Sequence, residues 1–396
     1  MLRLYNRILG KFELFKPLEK TVKIFVCGPT LYDDVHLGHL RVLLITDLVN
    51  RYLKFLGLRT EIVINLTDMD IKILEKAYRE KVKSKEIADR YFERVTEDIR
   101  DIIKDKVFFI RPSKLIQEST KIILDLLNKD LAYETKEGIY CDISKSKYLG
   151  SLSKLERNYI LNSLLEPSED NKRNPCDFKL WSRSGDEIDP KLGNGMVGWH
   201  LQDFTIIENF LGGYCDIHIG AKELIFPHHE FILLLGEYYT GVYPISRFFI
   251  HVGLLNYKGE KMSKSLGNIV YFRDIINEYD MDVLRIYYYL MKINKDYNFN
   301  FNSLYLAQKI KKRLKSIKIN KGRKKKNLIK QIEEHKNTFL KCIGNNLNSN
   351  KAIKTWLSLK DIIDRFNVDE ESQELLKETL NIFSSITGIL ERNAIK

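Results

Sequence analysis

Apolar residues gather in a few short runs, and their spacing sets the first expectations. Residues 22–28 (VKIFVCG) are mostly apolar and β-branched and end at Gly28 and Pro29, which predicts a buried strand. LRVLLITDLVNRYLKFLG (40–57) is apolar on most faces and closes at Gly57, the pattern of a buried helix. Residues 59–66 (RTEIVINL) predict a second buried strand. Strand, crossover helix and strand make a right-handed unit of a parallel sheet. Charged, amphipathic sequence predicts helices over 70–105 and 115–129, and 132–150 reads as a hairpin. Residues 150–196 are polar and irregular and read as an insertion. The sheet pattern resumes with a strand at 215–219, a helix at 228–241 and a strand at 247–255, followed by the polar loop NYKGEKMSKSLGN. From about residue 300 the chain turns to helices rich in Lys, Leu and Ile.

The expected architecture is therefore α/β. A Rossmann-type doubly wound parallel sheet occupies 1–300, with an inserted subdomain at about 108–196 and a loop at 256–268, and a C-terminal α-helical bundle fills 301–396. With 396 residues, 44% of them hydrophobic and 30% charged, the chain has ample material for a core, and no apolar run nears the roughly 20 residues of a membrane span. The five cysteines, Cys27, Cys141, Cys176, Cys215 and Cys342, follow no disulfide spacing, and the N-terminal segment carries charges and no cleavage signal. Both features point to a reducing cytoplasm. A net charge of +12 suits a polyanionic partner such as tRNA, or equally a lysine-rich solvated surface. The basic stretch NKGRKKKN (320–327) has the same two readings, a phosphate contact or a solvated turn.

Two short motifs carry chemistry. HLGH (His36 to His39) stands where the first strand gives way to the first helix. Helix N-termini present unpaired N–H groups and positive potential to a phosphate, Gly38 admits close backbone approach, and His36 and His39 can donate to an α-phosphate as charge grows. KMSKS (261–265) lies in the polar loop after a late strand, where Lys261 and Lys264 can hold a leaving pyrophosphate. Each alone is weak, since an ordinary Lys/Ser loop looks similar. Their conjunction, in this order and each after a strand, indicates ATP-dependent activation, with Mg²⁺ accompanying the nucleotide.

With these motifs in place, the chain resembles the cysteine–tRNA ligase family of class I synthetases. The similarity lies in FVCGPTLYDDVHLGHLR (25–41), VINLTDMDIK (63–72), NKRNPCDFKLW (171–181), GWHLQD (198–203), DIHIGAKELIFPHHE (216–230) and GEKMSKSLGN (259–268). The resemblance implies a two-step reaction, adenylate formation followed by transfer to tRNA. It implies ATP binding by Gly38, His218, Gly220, Glu223, Ser263 and Lys264, and an amino acid pocket of Cys27, Thr67, Trp199 and His218. For Trp199 a core aromatic is the plain alternative.

The family grips a substrate thiolate with zinc held by two cysteines, a histidine and a glutamate. Here Cys27 and His228 match, Asp203 replaces a cysteine and Ile232 replaces the glutamate, so the resemblance predicts a weakened or lost metal grip, with His229 and Cys215 as replacement candidates. Ile232 is expected to make the pocket drier. Ile71 also stands for a family Asp, the Gly-rich run reads His218-Ile219-Gly220-Ala221, and Glu223 stands for a ribose-binding Asp. The leading expectation is a monomeric cysteine–tRNA ligase. The alternatives are a related ligase with a non-tRNA acceptor or another amino acid, and a non-catalytic RNA-binding paralogue.

Overall fold

The computed structural model describes residues 1–163, 172–262, 266–316, 327–365 and 370–391. Its centre is a parallel sheet of five strands: β1 (Thr21–Thr30), β2 (Arg59–Thr67), β3 (Val107–Ile110), β4 (Cys215–Ala221) and β5 (Ser246–Val252). The order is β5-β4-β1-β2-β3, and every pairing is parallel. The apolar runs at 22–28, 59–66, 215–219 and 247–255 all become strands. Val107–Ile110 differs from the sequence expectation. Its four residues pair with β2 and supply the edge of the central sheet, whereas the sequence placed them at the start of the insertion. A four-residue apolar run has no periodicity to distinguish these cases.

Period-two alternation sorts the strands between two cores. Ile24, Val26, Ile62, Ile64, Ile217 and Ile219 face helix α1 (Leu37–Phe55) and the C-terminal helices. Phe25, Val63 and Phe249 face the other way, toward helices α2 (Trp199–Leu211) and α3 (His228–Thr240). Cys27 packs on that second side, which fixes where its sulfur points.

The hairpin expected at 132–150 is present, and residues 150–197 hold more order than their composition suggested. Ala132–Glu134, Gly138–Cys141, Phe178–Asp189 and Gly193–Val197 form a four-stranded antiparallel sheet. In the longest strand only Phe178, Leu180, Trp181 and Asp189 are buried, so its sequence FKLWSRSGDEID reads as loop although its backbone is paired. The C-terminal helices Phe301–Lys315, Leu328–Gly344, Ser349–Arg365 and Glu370–Thr387 pack around Phe339, Trp356 and Phe383, with Phe339 stacked on Phe383 at 3.9 Å between ring centroids. Of the basic stretch at 320–327, all but Asn327 lies outside the described residues.

Arg41 joins α1 to the segment that leads into the polar loop. It is buried on α1, and its guanidinium donates to the carbonyls of Gly253, Leu254 (3.0 Å), Lys292 (3.0 Å) and Lys295 (2.8 Å). The Asp296 carboxylate accepts from the Leu254 N–H at 2.9 Å on the same segment. Arg41→Met would strand these carbonyls without a donor. Urea unfolding is expected to register a loss of about 3–5 kcal/mol, with Arg41→Lys intermediate because an ammonium lacks the planar fork.

Candidate active site

A cleft of about 510 Å³ opens at the carboxyl ends of β1, β2, β4 and β5, the edge where doubly wound sheets bind ligands. One wall is the start of α1. His36 is its N-cap, and its Nδ1 accepts from the N–H groups of Gly38 at 3.0 Å and His39 at 3.3 Å. His39 Nδ1 in turn accepts from the His36 N–H at 3.5 Å, and the two rings stack at 3.6 Å. Both Nδ1 atoms act as acceptors, which leaves the ring protons on Nε2. Desolvation reinforces the neutral state, pulling His36 down to about 4 and His39 well below the ordinary histidine range. Gly38 has a further reason to be glycine, since a Cβ there would stand 2.8 Å from His36 Cε1 and break the cap.

Lys261 and Glu223 lie on the same cleft and pair with each other. Of the other motif residues, Met262 lines the cleft, while Ser263 and Lys264 fall outside the described residues. His39 and Lys261 therefore border one cavity.

The floor is a buried polar cluster. Cys27 Sγ lies 3.1 Å from Asp203 Oδ2, 3.1 Å from His229 Nε2 and 3.3 Å from His218 Nε2. Asp203 Oδ2 also lies 3.0 Å from His228 Nε2, while its Oδ1 accepts from Asn65 Nδ2. Asn65 Nδ2 also donates to Thr67 Oγ1 at 3.1 Å. Burial and the neighbouring Asp203 carboxylate push the Cys27 thiol well above its usual range, and burial holds His200, His218 and His229 neutral. Trp199, 45% exposed, stacks on His228 at 4.1 Å and forms part of the cleft wall, so it is no core aromatic.

Cys27, Gly38, Thr67, Trp199, Asp203 and Glu223 thus meet on one cleft with the histidines of HLGH. His218, Gly220 and His228 sit behind that surface. His218 is wholly buried between Cys27 and Ser246, its Nδ1 3.3 Å from Ser246 Oγ. Gly220 backs the ring of His229, where a Cβ would fall 2.8 Å from Cε1. Ile232 corrects an expectation. It lies one helical turn beyond His228 in the apolar cluster under α3 and lines no part of the cleft, so it does not dry the pocket.

The donor chemistry fits a metal. Cys27 Sγ and one ring nitrogen each of His228 and His229 lie within 4.8 Å of one another. Cys215 is occupied elsewhere, 3.0 Å from Ser246 Oγ. The sequence reading passed over Asn65, His200 and His251. His200 adjoins Trp199 in GWHLQD, and His251 lies in a strand buried on both faces, where a polar residue was the available signal.

Comparison with known proteins identifies the family. The family described as tRNA synthetases class I (C) catalytic domain matches residues 14–309. The chain belongs to the class I cysteine–tRNA ligase family. Among curated members it is 30% identical to the cysteine–tRNA ligase of Methanococcus maripaludis over 98% of this chain and 86% of that protein. It is 33% identical to that of Aquifex aeolicus over 98% of this chain and 84% of that protein. A solved methionyl-tRNA synthetase of Mycobacterium tuberculosis in complex with methionyl-adenylate shares the fold, at a TM-score of 0.66 and 15% identity over 95% of this chain and 92% of the other. As a class I aminoacyl-tRNA synthetase, this family member is a ligase that uses ATP. No helix among the described residues is long and apolar enough to cross a membrane.

The His36 cap makes acid sensitivity a test of this wall. Its folded pKa, about 4, lies below the ordinary histidine value, so its contribution to stability is complete above about pH 6.5 and fades as pH falls toward 4. Asn is as good an N-cap and carries no proton to gain. His36→Asn is expected to flatten the loss of stability between pH 6.5 and 4 in urea titrations, while leaving stability at pH 8 within about 1 kcal/mol.

Proposed function

We propose that this chain activates cysteine with ATP and transfers it to tRNA. The observation that carries the reading is the single cleft bordered by the N-terminus of α1, by Lys261 and by Cys27. An extended nucleotide would place its triphosphate between the first two and direct an amino acid toward the third.

In the first step the amino acid carboxylate attacks the α-phosphate, and pyrophosphate departs. His36 and His39 are neutral donors through Nε2, and the N–H groups of the first helical turn add positive potential, so both favour the negative charge that grows on the α-phosphate oxygens. Lys261 holds the departing pyrophosphate, with Lys264 and Ser263 beside it in sequence, and Mg²⁺ travels with ATP. Glu223 accepts from a ribose hydroxyl, which requires release of its ion pair with Lys261. Trp199, over His228, and Thr67 flank the side chain pocket. In the second step the terminal ribose hydroxyl of tRNA takes the acyl group, and the net charge of +12 favours that polyanion. A pocket zinc, when bound by Cys27, His228 and their neighbours, supplies a soft Lewis acid for a thiolate and so separates cysteine from serine. Five unpaired cysteines fit a cytoplasmic setting.

Pyrophosphate exchange across the amino acids tests this directly. Cysteine is expected to support exchange far better than serine, alanine or valine, and tRNA charging should follow. Exchange with a different amino acid alone would overturn the specificity, and exchange without tRNA charging would move the reading to a non-tRNA acceptor. His39→Ala and Lys261→Ala should each lower the rate of exchange about 10²–10³-fold with little change in the KM for cysteine, because their contacts strengthen in the transition state.

A further inference from the structure

We infer that the pocket metal of this chain is held by four protein donors, Cys27, Asp203, His228 and His229, and that His200 and His251 orient the two imidazoles. The inference deepens the functional reading above and rests on it for the identity of the pocket.

The four donors come from three elements of the fold. Cys27 lies in the C-terminal half of β1, Asp203 lies in the second turn of α2, and His228 and His229 open α3. Asp203, His228 and His229 have almost no accessible surface. Cys27 Sγ to His229 Nε2 and Cys27 Sγ to Asp203 Oδ2 are both 3.1 Å, and Asp203 Oδ2 to His228 Nε2 is 3.0 Å. Cys27 Sγ and a ring nitrogen of His228 and of His229 lie within 4.8 Å of one another, and Asp203 touches Cys27 and His228, so binding a metal draws the wider pairs toward the roughly 3.3–3.6 Å that separates tetrahedral zinc ligand atoms.

The outer nitrogens are already engaged. His228 Nδ1 lies 2.8 Å from His200 Nδ1, and His229 Nδ1 lies 2.9 Å from His251 Nε2. With protons on the two outer Nδ1 atoms, both Nε2 lone pairs turn inward on a carboxylate oxygen and a sulfur. Without a metal the Cys27 thiol donates to Asp203 Oδ2, and a dication that displaces this one proton finds a sulfur, a carboxylate oxygen and two imidazole lone pairs turned toward one another. Asn65 fixes the other carboxylate oxygen, and His218, within 3.3 Å of both Cys27 Sγ and Ser246 Oγ, can pass a hydrogen bond to the sulfur. Metal ligands characteristically carry such outer partners. Gly220 is part of the design, because any side chain there would drive the His229 ring out of position. One thiolate, one carboxylate and two imidazoles carry a total charge of −2. Such a set suits zinc and accepts cobalt, and it leaves the substrate sulfur as a second soft donor.

The test is metal content and cobalt spectroscopy on the full chain, with no substrate present. The purified protein, loaded with Zn²⁺ and desalted, should hold one metal per chain. The Co²⁺ form should show tetrahedral d–d bands with one thiolate-to-metal charge-transfer feature. His229→Asn and Asp203→Asn should each distort the cobalt bands and weaken zinc binding, measured by competition with a chelator. His251→Gln and His200→Gln should weaken it about 10–100-fold while keeping the charge-transfer feature. Cys215→Ser should change neither. Circular dichroism checks that each variant folds, and the unmutated chain alone keeps the idea refutable. A wild-type protein that retains no stoichiometric metal, or a cobalt spectrum untouched by His229→Asn, overturns the inference. Metal bound as described in a protein that charges no tRNA leaves the donor set intact and overturns the functional reading instead.

Discussion

Parallel pairing of all five central strands is the constraint from which the site follows. It sends β1, β2, β4 and β5 out of the sheet at one edge and brings the helices that follow them back to start there. Cys27, Thr67 and Gly220 lie near strand ends, and His36 and His228 lie at helix starts, because no other placement is open to residues in those sequence positions. Antiparallel pairing of any one strand would remove its contribution from the cleft. Strand alternation adds the second coordinate. Phe25 and Cys27 share the face turned to α2 and α3, so the sulfur meets Asp203 and the two histidines, whereas Val26 joins the core against α1.

This explains which parts were legible in the sequence. β1, β2, β4 and β5 are buried on both faces, and buried parallel strands read as continuous apolar runs. Phe178–Asp189 lies in an antiparallel sheet with much of its length exposed, and its polar residues matched the composition of a loop. HLGH and KMSKS were visible because each function sits within five consecutive residues. The ring network behind Cys27 was not, since His200, His229 and His251 meet only through the packing of α2, α3 and β5. Ile232 marks the same limit from the other side. Position along the chain, taken with a family pattern, put it in the pocket, but the turn of α3 beyond His228 faces apolar neighbours.

The two ends of the cleft differ in how firmly they are built. At the amino acid end, Asp203, His218, His228 and His229 are inaccessible to solvent, and each is tied to at least one other buried polar group. Polar groups buried without partners are costly, so a network in which these side chains hold one another has few alternative arrangements. That rigidity suits discrimination between side chains differing by one atom. At the nucleotide end, Glu223 and Lys261 are joined only by an exposed ion pair, with side chains 42% and 59% accessible. An exposed pair contributes about 0–1 kcal/mol, so its partners can be parted at little cost, as the proposed binding of a ribose and a triphosphate requires. Under the proposed function, a fixed cluster for the amino acid and loosely held charges for ATP would let the site bind the correct substrate without spending that binding on rearrangement, and keep its electrostatic contacts for the moment when pyrophosphate leaves.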